Sequence, residues 1–229
     1  MAKEFDRNMF IMLLSVMVGA IIITYFAADI IRQSEFDKER ESYIDQIESV
    51  TTEKNKFENK SKNFTGFFLK SLGSLDLSRE DRATANSYFD LASKIWYPQK
   101  EYQKVIDNCT KAMERYLITY ENFLNTKTFF NDTKEYVYQD NYLSILDIYV
   151  DLSQSGARLA MYRYNSSRYL KQIAENLSSI GEEANVSELL EMYNESNALY
   201  GQELLLFNEL KDAIESEYGK LFNPNRETP

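Results

Sequence analysis

Twenty consecutive residues without a charge, Met9 to Ala28, constrain this chain more than any other feature of its sequence. At about 1.5 Å of rise per residue, a helix of that length spans roughly 30 Å, which is the thickness of the hydrocarbon core of a bilayer. One serine, one glycine and one threonine interrupt the apolar run, and membrane helices tolerate all three. The sequence therefore predicts a transmembrane helix over residues 9–31, after a short polar leader at residues 1–8.

The apolar stretch is predicted to be an uncleaved signal anchor. A removable secretory signal has an apolar core of about 7–15 residues and a small-x-small cleavage site. Cleavage after Ala27 or Ala28 would place Tyr25 or Phe26 at the third position before the cut, where a small residue is needed. A cleaved signal remains the alternative. A buried core helix is less favoured, because such a helix normally keeps a polar face and this one has none before Asp29.

Glycosylation sequons favour an extracytoplasmic tail. Basic residues flank both ends of the apolar stretch, so the positive-inside rule gives no clear direction and only a weak preference for the C-terminal side inside; long domains often cross a membrane regardless of flanking charge. The sequon Asn-x-Ser/Thr occurs eight times, all after the stretch, whereas the content of Asn, Ser and Thr predicts roughly two or three by chance. We therefore expect a single-pass protein of the cell membrane with its C-terminal part outside; chance sequons in an Asn-rich and Ser-rich helical protein are the alternative. The candidate glycan acceptors are Asn59, Asn63, Asn108, Asn131, Asn165, Asn176, Asn185 and Asn194.

Composition limits the function classes. The first 32 residues are charge-balanced, so the net charge of −10 lies in the tail, which argues against nucleic acid as a partner. Seven Gly and three Pro, with 17 Tyr and 14 Phe, favour long helices with aromatic cores. The absence of histidine excludes Ser-His-Asp triads, Cys-His pairs and HExxH zinc sites. We expect no enzyme activity, no cofactor and no metal.

The predicted fold class is all-α: one N-terminal transmembrane helix, a helical stalk, and an antiparallel bundle of about five helices. The stalk covers residues 32–63. Its apolar residues fit a loose heptad with polar gaps at Arg40, Lys54 and Ser61. A single solvated helix is favoured there, and homo-oligomerisation through the stalk is the alternative. The apolar heptad residues are Phe36, Tyr43, Ile47, Val50 and Phe57.

The helical domain is predicted over residues 64–222, followed by a polar tail at 223–229. Two glycines in residues 64–77 favour a short helix or cap with a turn, and Ser78 is expected to begin the next helix. Further breaks are expected at Pro98 and around Asn131, and either a break or a kink at Gly156. The longer predicted helices cover residues 78–96, 99–129, 134–152, 157–180 and 186–221.

Two further signals concern helix ends and the core. Gly181 is a plausible C-cap glycine, and Asn185-Val-Ser-Glu188 fits a capping box. The helix from Gln99 carries the clearest apolar stripe, so its central residues are expected to be buried, among them an inert cysteine that no histidine can activate. These central residues are Ile106, Cys109, Met113 and Tyr116.

Residues 83–116 resemble a single tetratricopeptide repeat. One helix would supply Tyr88, Phe89, Leu91, Ala92 and Ile95, and the second Tyr102, Val105, Ile106, Ala112 and Met113. The match needs one inserted residue near Pro98; Ala92 replaces the usual glycine, and the usual closing proline is absent. The resemblance implies a tightly packed helical hairpin and a protein-binding solenoid, although solenoids need three or more repeats and other segments do not repeat the pattern.

One locally basic, tyrosine-rich run is a candidate partner-binding patch, because Tyr and Arg dominate binding hot spots. The alternative is an interhelical seam with arginines reaching to solvent. We therefore expect a membrane-anchored interaction or scaffold protein with a protein partner; a ligand-sensing bundle is the alternative, although eight leading residues are few for a signalling output. The patch residues are Arg158, Tyr162, Arg163, Tyr164, Arg168 and Tyr169.

Overall fold

The computed structural model describes residues 2–96, 101–181 and 184–222. These residues are almost entirely helical and contain no strand, so the all-α prediction is confirmed. The chain divides into two units, Met1–Phe57 and Glu58–Pro229. The four α-helices are α1 (Ala2–Ile95), α2 (Tyr102–Thr133), α3 (Asn141–Ile180) and α4 (Ser187–Phe222).

The first unit contains the apolar stretch, and this stretch is long and apolar enough to cross a membrane. All of its side chains from Met9 to Ala28 are exposed, apart from partly covered Gly19. This exposure contradicts a buried core helix, whose side chains would pack against other elements. Within the stretch, the hydroxyls of Ser15 and Thr24 donate to the carbonyls of Ile11 and Ala20, each at 2.8 Å, which satisfies these polar groups inside the helix.

The second unit is an up-down-up-down four-helix bundle, not a bundle of about five helices. The hydroxyls of Ser71 and Thr133 lie 3.3 Å apart, and farther along α1 Asn86 bonds Tyr116, so α1 and α2 are antiparallel. In the same way α3 and α4 are antiparallel. The contacts between α3 and α4 include Tyr149 with Tyr218 and Arg158 with Glu203.

The predicted turn in residues 64–77 and the predicted helix start at Ser78 are wrong. Gly66 and Gly73 lie at exposed positions inside α1, where a glycine costs a helix only about 1 kcal/mol and packing offsets it. Ser78 is buried in mid-helix and donates to the carbonyl of Ser74 at 2.8 Å. The two predicted helices are therefore one, which lowers the helix number.

The α2–α3 connection also differs from the prediction. α2 continues to Thr133, where the sequence indicated a turn around Asn131, and a short 3-10 helix follows at Lys134–Tyr136. α3 therefore begins at Asn141 and not at Lys134. It continues through Gly156, so the predicted end of a helix at that glycine is wrong, and a kink there stays a prediction.

Of the two helix ends predicted near residue 181, the C-cap is found and the capping box is not. Gly181 has φ +83° and its N–H donates to the carbonyl of Leu177 at 3.1 Å, so the predicted C-cap is confirmed. The side chain of Asn185 accepts a hydrogen bond from the N–H of Ser187 at 3.2 Å, two residues on and not three as in a capping box. The predicted break at Pro98 and the tail at 223–229 lie outside the described residues.

The seam of the bundle alternates large apolar and small polar residues. The buried residues of α2 recur at strict steps of four and three, and every other step in its second half is a threonine. Cys109 and Tyr116 are fully buried as predicted, but Ile106 and Met113 lie at the edge of the seam and are half-buried, because Val105 and Ala112 take the central positions. The buried residues of α2 are Val105, Cys109, Ala112, Tyr116, Thr119, Phe123, Thr126, Phe130 and Thr133.

Two apolar clusters fill the bundle. One is rich in phenylalanine and is built around Phe123, Phe130 and Phe207. The other, called the small-residue cluster below, contains mostly small residues of α1, α2 and α3, including Ala85, Cys109 and Ala160. The segment that resembles a tetratricopeptide repeat thus lies in two long helices that close a bundle with α3 and α4, and the solenoid expectation does not hold.

Candidate functional site

The predicted arginine-tyrosine patch lies on α3, where its first arginine is committed to α4. Both nitrogens of the Arg158 fork donate to the Glu203 carboxylate at 2.8 Å. Burial raises the pKa of Glu203, but the hydrogen bonds and the positive charge of Arg158 outweigh it and leave the pKa below its ordinary value. This pair ties two helices together.

Arg163 points into the bundle. Its guanidinium carbon lies 3.8 Å from the ring centre of Tyr200 and 4.6 Å from that of Phe89. Its Nη1 donates to the side-chain oxygen of Asn197 at 2.7 Å, and Ser166 donates to the same oxygen. Arg163 therefore links α3 to α1 and α4 through aromatic faces, which attract a desolvated cation.

The other four patch residues are half-buried. Arg168 donates to the hydroxyl of its neighbour Tyr169 at 2.8 Å. Tyr162 packs against the phenylalanine-rich cluster, and Tyr164 against the small-residue cluster. The geometry matches the interhelical-seam alternative for Arg158 and Arg163, and a partner-binding role of the patch stays a prediction.

Arg82 is a half-buried residue of α1 that sequence reasoning did not select. Its guanidinium carbon lies 4.5 Å from the ring centre of Phe207, and burial lowers its pKa. Its Nη1 is buried without a hydrogen-bond partner among the described residues. Nearby, the Tyr116 hydroxyl donates to Asn86 at 2.6 Å, and burial raises the pKa of Tyr116. A buried guanidinium with an unused donor is the arrangement that an anion satisfies.

The single cysteine is chemically quiet. Cys109 is fully buried, and burial raises the pKa of its thiol to about 12, against a smaller opposite effect of Lys171. Only the thiolate is nucleophilic, so this thiol is unreactive at neutral pH. Within the described residues, no group of three or more acidic or cysteine side chains has the geometry to hold a metal ion.

None of the eight sequon asparagines is buried. Five are exposed and three, Asn108, Asn165 and Asn176, are half-buried. The hydroxyls of several sequons take part in folding contacts, among them Thr133 and Ser196. Glycosylation at these positions stays a prediction. The exposed asparagines are Asn59, Asn63, Asn131, Asn185 and Asn194.

α4 exposes a line of apolar side chains, called the α4 line below, that the sequence analysis did not predict. Met192, Leu199 and Leu206 follow one another at steps of seven and are 37–39% exposed, and Leu205 beside them is 66% exposed. The line extends over about 21 Å at 1.5 Å per residue. The available signal was the run Leu204 to Phe207, because four successive apolar residues circle a helix and cannot all face one core.

Acidic residues border this α4 line. Glu195 and Glu209 are exposed and lie one helical turn from Leu199 and Leu206. The surface of α4 therefore combines an apolar strip with negative charge, a pattern complementary to an amphipathic helix with a basic rim.

Comparison with known proteins adds no relative: no protein-family model, no curated protein and no solved structure matches this chain.

Proposed function

We propose that this protein is a membrane-anchored interaction module whose bundle binds a basic amphipathic helix of a partner protein along the α4 line. The exposure of Leu205 in an acidic surface is the observation that carries the proposal. An exposed apolar strip rimmed by charge is typical of a protein-binding site. On binding, the leucines are buried and the acidic rim orients the partner, which favours specificity and association rate.

We place the bundle outside the cytoplasm and the apolar stretch as an uncleaved anchor in the cell membrane. The eight sequons after the stretch and the length of the stretch support this placement. In a host that glycosylates, a glycosidase should shift the mobility of the protein on a gel, and protease added to intact cells should remove the tail. Protection of the tail in sealed cells, together with an absence of glycan, would contradict the placement.

Photo-crosslinking tests the α4 proposal directly. A benzophenone amino acid at position 205 in native membranes should give one discrete adduct, and the captured segment should be a basic amphipathic helix. Leu77 on α1 is the matched control, because its exposed fraction of 61% is close to the 66% of Leu205. Equal adduct yields at the two positions, or none at position 205, would refute the proposed docking face.

A charge substitution completes the test. Leu205→Glu should abolish the adduct formed from a second probe at position 199, because a buried charge at an interface costs several kcal/mol. Leu77→Glu should leave that adduct unchanged. Both variants should unfold like the parent chain, since surface substitutions usually change stability by no more than about 0.5 kcal/mol.

A ligand-sensing bundle is the second candidate, and the unused Nη1 of Arg82 favours it. A small anion that bonds this donor should stabilise the folded chain. Added phosphate or sulfate should then raise the denaturation midpoint of the parent chain and not that of Arg82→Met. Identical responses of the two chains would remove this candidate and leave the α4 proposal intact.

A further inference from the structure

The helical stalk within the first unit has an uncovered apolar face. Phe36, Tyr43, Ile47 and Val50 are each 64–65% exposed. With Phe36 placed at position d of a heptad, every d position of the stalk is aromatic or valine. A row of such residues along one side of a solvated helix is costly unless another helix covers it.

The register of this face continues in sequence into a seam that is already covered. Steps of four and three residues lead from Phe36 without a shift to Phe64, Leu75 and Phe89, all of which are buried in the four-helix bundle. Among the described residues, the heptad positions that are buried in the second unit are therefore exposed in the first. The unbroken register indicates that the exposed residues follow the same helix-packing pattern, because an inserted residue would move the following residues to another face.

The same register also selects the small residues of the apolar stretch. Counted back from Phe36, Ser15 falls at a d position and Gly19 at the following a position, which gives a small-xxx-small pair. A Cβ added at Gly19 would meet no atom of its own chain within 4 Å, so the fold of one chain does not require glycine there. Small residues at this spacing allow the backbones of two membrane helices to approach closely.

We propose that a second copy of this chain covers the face, in a parallel two-stranded coiled coil along the stalk from Phe36 to Phe57, and that the two membrane helices also approach each other closely at Ser15 and Gly19. Two copies anchored in one bilayer point the same way, which sets the parallel arrangement. This pairing does not depend on the proposed α4 docking face.

The charges of the stalk fit the parallel arrangement. Arg40 and Lys54 occupy a positions, and Glu39 and Glu53 occupy the g positions directly before them. In a parallel pair, an a-position cation lies beside the g-position residue of the other helix, so each of the two cations meets a glutamate of the second copy. The like-charged pair of Glu53 with Glu58 lies at the rim, where water screens it.

Disulfide trapping of the full-length chain tests the pairing. Val50→Cys at position d, reconstituted in phosphatidylcholine vesicles and oxidised with copper phenanthroline, should run as a disulfide-linked dimer at twice the 26.9 kDa chain mass. Cys109 does not interfere, because it is buried and its thiol is protonated. Thr52→Cys at position f is the matched control and should trap at least about fivefold less dimer, because f residues face away from a coiled-coil partner. Dilution with extra lipid should preserve this difference.

Charge substitutions supply the second measurement. Val50→Asp should convert the detergent-solubilised dimer to monomer in sedimentation analysis, whereas Thr52→Asp should leave the dimer intact. Equal trapping at positions 50 and 52, loss of trapping on dilution, or a monomeric parent chain would overturn the proposal. A trimeric or tetrameric mass would also overturn it, because the proposed seam holds two helices.

Discussion

A methyl group added at Gly156 should destabilise the bundle, although the same change at an exposed helical glycine should stabilise it. The Cβ of an alanine at position 156 would lie 2.4–2.6 Å from three ring atoms of Phe123. Phe123 is fully buried, and its ring meets that of Phe207 edge to face at 6.5 Å. The ring therefore has no solvent space into which it can move.

The size of the effect follows from two opposing contributions. Replacing glycine by alanine inside a helix gains about 1 kcal/mol from propensity and backbone entropy. Forcing an extra carbon into a packed core costs about 1–3 kcal/mol, and an overlap of about 1 Å with three buried atoms belongs in the upper part of that range. Gly156→Ala should therefore lower the free energy of unfolding by about 1–2 kcal/mol. Gly73→Ala on α1 should raise it by about 0.5–1 kcal/mol, because nothing lies within 4 Å of the added carbon.

Urea denaturation of the full-length chain in detergent micelles measures both changes. Trp96 is the only tryptophan and packs against the small-residue cluster, so its fluorescence reports on the bundle. The midpoint should fall for Gly156→Ala and rise for Gly73→Ala. In a chain that also carries Phe123→Leu, Gly156→Ala should lower the free energy of unfolding by less, because leucine leaves more room than phenylalanine for the added methyl group. Equal stabilisation by Gly156→Ala and Gly73→Ala would refute the close approach of α3 to Phe123.

Three further predictions concern stability. Burial raises the pKa of Cys109 from 9.0 to about 12, so the protonated thiol's contribution to stability is present below pH 9 and lost as pH rises toward 12. Between pH 8 and 10, the free energy of unfolding measured in urea should therefore fall by roughly 1 kcal/mol more for the parent chain than for Cys109→Ala. Burial raises the pKa of Glu203, but the hydrogen bonds from Arg158 leave it lowered, so its contribution to stability is present above about pH 4.5 and lost on acidification; Glu203→Gln should be less stable at pH 7 and less sensitive to acid in the same assay. Val105→Ala should lower the melting temperature more than Ile106→Ala, and Lys104→Ala should change it little, because Val105 is fully buried, Ile106 half-buried and Lys104 exposed.

Sequence reasoning found α2 and misplaced the boundaries of α1 for related physical reasons. Every seam position in the first half of α2 is apolar, from Val105 to Tyr116, so the helical period stands out. In α1 the corresponding positions include Ser71, Ser78 and Arg82, which hide the period. The serines are tolerated in the core because each donates to a carbonyl four residues earlier at 2.8 Å and also contacts a threonine of α2.

The patch on α3 shows a different limit. Its residue types indicated a binding surface, but the role of Arg158 depends on Glu203, and that of Arg163 on Asn197, which lie 45 and 34 residues farther along the chain. Periodicity within one helix does not reveal which face another helix will cover. The exposed line on α4 was more accessible to sequence reasoning, because the run Leu204 to Phe207 is too apolar for a helix with one buried face.

The two proposed surfaces have a joint consequence. If the stalk pairs two copies, each assembly presents two α4 lines, and a partner with two basic helices binds with an effective concentration set by the assembly and not by the single site. The affinity of a two-helix partner should then fall at least about tenfold in Val50→Asp, whereas the affinity of a one-helix fragment should stay unchanged. Equal affinities of the two-helix partner for the parent chain and Val50→Asp would mean that the α4 faces act singly, even in a paired chain.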